Sequence, residues 1–133
     1  MTQHHRASGA FDVTLTPQPW PEPQAAGITF GRLLLDKHYH GELEAHAQGQ
    51  MLSAVTGTAG SAGYVALEAV NGTLHGRRGG FVLMHTGTLT RGAPQLVVSV
   101  VPDSGSGDLA GLAGQLAIRI EGGGHFYTFD YTL

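Results

Sequence analysis

Glycine supplies 21 of the 133 residues and recurs every few positions, and this constrains the fold more than any other feature. In a helix interior each glycine costs about 1 kcal/mol relative to alanine, whereas in a tight turn it supplies the positive φ the backbone needs. Between the glycines the chain alternates apolar and polar residues. In "AFDVTLTP", Phe11, Val13 and Leu15 oppose Asp12, Thr14 and Thr16, the pattern of a half-buried strand running into a Pro-rich loop over 17–27. "ITFGRLLLDKHYH" and "ELEAHAQGQMLS" form two long runs that meet near Gly41. "GYVALEAVNGTLHG", "GGFVLMHTGTLTRG" and the β-branched "APQLVVSVVP" follow, and "QLAIRIEGGGHFYTFDYTL" adds a terminal hairpin turning at Gly122–Gly124. "NG" at 71–72 and "RRGG" at 77–80 read as turn or bulge signals. "GDLAGLAG" at 107–114 offers about one turn of helix at most, and residues 1–6 read as a frayed end.

Some eight strands joined by short glycine-containing turns, with no strand–helix–strand alternation, predict an all-β single domain over residues 1–133. An eight-stranded antiparallel up-and-down barrel is preferred to a sandwich, because closure removes the exposed edges of such β-rich segments. Lys and Arg number 7 against 10 Asp and Glu, so no basic footprint points to nucleic acid. Only 13% of residues are charged, against about 25% in an average domain, and apolar residues occupy both faces near 65–70 and 96–101; a homo-oligomer is expected. Without cysteine there is no disulfide framework and no thiolate metal site. "MTQHHRASGAF" lacks an apolar leader core and no long apolar run follows, so neither membrane contact nor export is expected and the location reads as cytoplasmic.

Several blocks carry a resemblance: "HGELEAHAQGQMLSA", "GSAGYVALEAVNGTLHGRRGGFVLMHTGTLTRG", "VVPDSGSGDLAGLAG" and "GGHFYTFDYTL". Over almost the whole length, from about Ala7 to Leu133, the chain resembles a bacterial family catalogued as domain of unknown function 3224. That family is grouped with the allene-oxide-cyclase-like barrels, which include plant dirigent proteins. The resemblance implies an eight-stranded antiparallel barrel with a lumen at one end, and it implies no activity. The cyclase's active-site motif does not align residue by residue.

Histidines are the most conspicuous chemical feature. In "DKHYHGELEAHAQGQ", His38 and His40 share one face of a strand, and Glu44 and His46 follow. The stretch echoes the first metal motif of cupins, but its flanking glycines are mis-spaced and the second motif, with its third histidine, has no counterpart. A zinc or iron site needs three or four convergent ligands, so the expectation is surface histidines, no metal and no cofactor. His40 stays among the candidate ligand-binding residues because its block matches the family and can sit at the barrel mouth.

The stronger candidates are polar residues inside apolar strands. His85 shares a face with Phe81 and Leu83; Tyr127, Phe129 and Tyr131 share another, and so do Leu116, Ile118 and Ile120. Glu68 lies among apolar residues on both faces of its strand: it points out if Val65, Leu67 and Ala69 are core, and in, with Tyr64, if they are not. A carboxyl in an apolar cavity is expected to have a raised pKa, which would suit Glu68 and His85 to proton transfer. Tyr64, Tyr127 and Tyr131 are candidate ligand contacts, with core packing as the plainer alternative. The Gly/Ser-rich "GTAGSAG" and "SGSGDLAGLAG" lack a P-loop lysine, and no nucleophile elbow occurs. Three functions stay open: a module binding a small, mostly apolar molecule in the lumen; an isomerase or cyclase acting by confinement with Glu68 and His85; and a filled barrel acting through oligomer surfaces. The first ranks ahead because no complete catalytic set is visible.

Overall fold

A computed structural model of the chain describes residues 2–133. Its strands are β1 (His4–Gln18), β2 (Thr29–Gly41), β3 (Leu43–Val55), β4 (Ala62–Leu74), β5 (Arg77–Thr90), β6 (Ala93–Val100), the two-residue β7 (Ser106–Gly107), β8 (Ala113–Glu121) and β9 (Gly124–Thr132). Eight long strands, each antiparallel to its neighbours in sequence, close into a barrel when β9 pairs with β1. Among the described residues there is no helix.

The turns explain why this sequence makes a meander. His75–Gly76 (φ 47 and 79), Arg91–Gly92 (φ 48 and 90) and Gly122–Gly123 (φ 55 and 80) each hold two consecutive positive-φ residues, the two-residue hairpin loop that matches strand twist. The turn after β4 therefore falls at His75–Gly76. Asn71–Gly72 lies inside β4, where it pairs with His46 and Ala45, and Arg77–Gly80 opens β5. "GDLAGLAG" is not helical: β7 and a series of turns occupy it, with Gly107 and Gly111 at φ 61 and 88. Nor is the N-terminus frayed from His4 onward. His4, His5 and Arg6 pair with Thr132, Tyr131 and Asp130, and the Arg6 guanidinium donates to Asp130 at 2.6 Å. Strand β1 also runs past Pro17 to Gln18, so the Pro-rich loop starts later than expected, after residue 18.

One face of each of the eight long strands fills the interior. Ala7, Phe11, Tyr39, Leu43, Ala47, Val70, Leu74, Phe81, Leu83, Val98, Tyr127 and Phe129 are buried and form one cluster. The two ends of the barrel differ. At one end the segment between β6 and β8 folds across, and Leu109 and Leu112, at 1% and 2% exposure, close it. At the other end, where the β1–β2, β3–β4, β5–β6 and β8–β9 connections lie, inner-face residues of the last turns, Leu15, Leu89, Leu96 and Ile120, are left exposed. Ile120 shares the inner face with Leu116 and Ile118 but lies on this rim and is 68% exposed.

Candidate functional site

Strand β4 directs Ala66, Glu68 and Val70 inward and Val65, Leu67 and Ala69 outward, which decides the question its sequence leaves open. Glu68 is fully buried at 0% exposure in the middle of the barrel, opposite Gly49 of β3 and Leu83 of β5. Gly49 is needed there, because a Cβ would collide with the backbone of Leu67 and Glu68. Three donors converge on the carboxylate: Lys37 Nζ at 2.9 Å and His85 Nε2 at 2.6 Å on Oε2, and the Tyr39 hydroxyl on Oε1. Lys37 also donates to the Tyr39 oxygen at 3.2 Å and lies over the Phe11 ring, 4.7 Å from its centroid.

Burial alone would raise the pKa of Glu68, but the hydrogen bond from His85 and the positive charge of Lys37 reverse this and hold it below the usual carboxylate value. The expected raised pKa is therefore corrected. Glu68 is an ionised, fully engaged acceptor, a poor proton acceptor at neutral pH. Burial of the Tyr39 phenol, together with the negative charge of Glu68, pushes its pKa well above the ordinary range, so Tyr39 stays a donor. Since the carboxylate can only accept, His85 donates to it from Nε2. His85 and Glu68 do come together as expected, but as parts of a buried Lys–Glu–His–Tyr cluster. Lys37 and Tyr39 went unrecognised in the sequence, although they continue the inward row Leu33, Leu35.

Of the expected ligand contacts, only Tyr64 lies at the open end. Its half-buried ring packs over Gly87, where any Cβ would collide with it. It lines a hollow of 460 Å³ together with Met51, Leu89, Pro94 and Leu96 and the polar Ser53, Thr88 and Gln95. Tyr127 is 1% exposed and locks β2 to β3: its hydroxyl accepts from Leu43 N–H at 3.0 Å and donates to the carbonyls of His40 and Leu43. Tyr131 lies toward the closed end, with its hydroxyl on His75 Nδ1, while His75 Nε2 meets Glu42 at 3.1 Å. Burial raises the pKa of Tyr64, Tyr127 and Tyr131, so all three remain protonated at neutral pH. His40 is on the outer wall, away from the mouth, between Asp12 at 3.0 Å and Glu44 at 3.7 Å.

The outer wall carries two further features. Leu52, Val65, Leu67, Met84 and Val97, exposed by 43–54%, form an apolar band across β3–β6, where a groove of 610 Å³ lies. Met84 is thus an outward residue. On β2 and β3, His38 and His46 stack with ring centroids 4.4 Å apart, beside Asp36. A hydrogen bond from His46 keeps the Asp36 carboxyl below its usual range.

Residues 7–131 match the family described as "Protein of unknown function (DUF3224)". The chain belongs to this family. A crystal structure of a protein of unknown function from the DUF3224 family of Shewanella oneidensis MR-1 is similar at 51% identity, covers 97% of this chain and 96% of that one, and superposes with a TM-score of 0.93. Among curated proteins none matches. The DUF3224 match spans Lys37, Tyr39, Glu68 and His85, and it spans the outer histidines as well. No helix among the described residues is long and apolar enough to cross a membrane.

Proposed function

We propose that this DUF3224 barrel binds a small, mostly apolar molecule at its open end. The observation that carries this reading is the asymmetry of the two ends: the same inner face that is buried under Leu109 and Leu112 is left exposed at Leu89 and Leu96 around a 460 Å³ hollow. That volume lies within the range of about 300–1,000 Å³ typical of ligand sites, and an apolar lining with a few polar groups is their usual composition. Ser53, on the inner face of β3, would supply a polar contact, and the Tyr64 ring would form one wall. Confinement chemistry through Glu68 and His85 has less support, because the carboxylate is already held by three donors.

The test is native mass spectrometry of freshly purified protein together with titration of the fluorescent apolar probe 1-anilinonaphthalene-8-sulfonate. Added mass or saturable fluorescence that is lost in Leu96→Arg supports the reading. Equal probe response in wild type and Leu96→Arg, with no added mass, overturns it.

A second reading concerns assembly. We infer a homo-oligomer formed through the outer band of β3–β6, supported by five large apolar side chains exposed side by side and by the low charged fraction. Light scattering is expected to give a multiple of 13.9 kDa for the wild type and a monomer for Leu67→Glu. A wild-type monomer at micromolar concentration would sink it.

A further inference from the structure

We propose that Asp36, His38 and His46 form a binding site for a late first-row divalent ion, zinc being the reference case, on the outer wall of the barrel. The register of β2 and β3 places His38 directly opposite His46, and Asp36 lies two residues from His38 on the same face. The imidazole planes are within 8° of parallel, and Asp36 Oδ1 is 2.9 Å from His46 Nε2 and 3.6 Å from His38 Nε2. One donor atom from each residue lies within 4.8 Å of the other two. Bonds of about 2.0–2.2 Å to zinc place tetrahedral donors about 3.3–3.6 Å apart. Small rotations of these half-exposed side chains close that gap.

The backbone beneath is already fixed. Lys37, Tyr39 and Ala47, which alternate with the three ligands, are buried at 3%, 1% and 0%, so the ligands project from a rigid closed sheet. Gln48 lies directly opposite Asp36 in the β2–β3 register, within reach to support a ligating carboxylate from outside. Two imidazoles and one carboxylate favour zinc, nickel or copper over magnesium or calcium, which prefer oxygen ligands. Three protein ligands leave a coordination position for water, as in zinc sites that react with or exchange solutes. His40 is outside the set because both its ring nitrogens face other carboxylates, Asp12 and Glu44. The site does not involve the apolar mouth, so either reading can fail alone.

The test titrates zinc sulfate into the metal-stripped full chain, read by calorimetry and by NMR of the histidine rings. The expected result is one equivalent bound, with the ring signals of His38 and His46 shifting while those of His40 and His75 stay. Because losing even an outer partner weakens metal sites by about 10–100-fold, His46→Ala and Asp36→Asn should each weaken binding at least about 10-fold. His40→Ala should bind as the wild type does. All three substituted side chains are about half exposed, and unchanged thermal melts of the metal-free variants confirm that each folds. Unchanged affinity in His46→Ala, or no ring shift with zinc in millimolar excess, overturns the proposal.

Discussion

Two clusters made of the same kinds of side chain sit back to back on β2. Lys37 and Tyr39 turn inward to Glu68 and His85, while Asp36 and His38 turn outward to His46. Their acid–histidine distances are close, 2.6 Å inside and 2.9 Å outside. Their surroundings are not: the inner carboxylate is 0% exposed and the outer one 48%. Inside, the Glu68 carboxylate takes three donors, and a buried charge that loses its partner stays desolvated. Outside, water competes for each bond, so the pairing contributes little to folding and the donors remain free to exchange partners. Close pairs of like chemistry therefore serve the fold in one place and stay available to solutes in the other, and burial decides which.

The largest expected effect breaks the inner cluster. Glu68→Ala should lower stability in urea denaturation by about 3–5 kcal/mol, because it strands the Lys37 ammonium. Replacing both charges, Lys37→Met with Glu68→Met, should lose clearly less than the sum of the single changes. A Glu68→Ala loss below about 1 kcal/mol would erase the distinction between the two clusters.

Next in size is the outer cluster with metal. Zinc at about 100 times its dissociation constant should stabilise the folded chain by about 2.7 kcal/mol, and EDTA should remove that gain. His46→Ala should abolish it.

Acid sharpens the same contrast. Glu68 has a folded pKa below its unfolded value near 4.5, so its ionisation stabilises the native state above that pH. The contribution is lost as pH falls from there through the folded pKa. Glu68→Gln should flatten this part of the stability–pH curve measured by denaturation. Asp36 is shifted in the same direction but is solvated, so Asp36→Asn should change the curve less.

The smallest effect is expected for His38→Ala without metal, within about 0.5 kcal/mol of wild type by thermal melting.

The barrel was legible in the sequence because its determinants are local. Alternation marks the strands, and His75–Gly76, Arg91–Gly92 and Gly122–Gly123 make hairpin turns from adjacent residues. Asn71–Gly72 misled because it has the composition of a turn; there the glycine is required instead by the close approach of Glu44 and Ala45 from β3. The direction of Glu68 was not legible: with apolar residues on both faces of β4, only pairing with β3 and β5 selects the inner side. Lys37 was obscured by its charge, which on statistical grounds points outward, although the row Leu33, Leu35, Lys37, Tyr39 held the signal. His38 and His46 were noticed, but their pairing depends on the tight β2–β3 connection at Gly41 and Glu42. That register also brings Asp36 to them from two positions upstream, beyond the reach of any motif.

The barrel is closed unevenly. Strands β6 and β8 share a ladder of one residue pair, Ser99 with Gln115, whereas β4 and β5 pair along their full length. Strand β6 is also the segment "APQLVVSV", rich in β-branched residues and without charge, with Leu96 and Val97 exposed by 39% and 43%. A strand of that composition, once its edge is free, is a template for other chains. This seam therefore sets the colloidal fate of the protein as much as its shape. Any change that loosens the segment between β6 and β8 should be read first as turbidity and fibre formation at high concentration, before any loss of overall secondary structure.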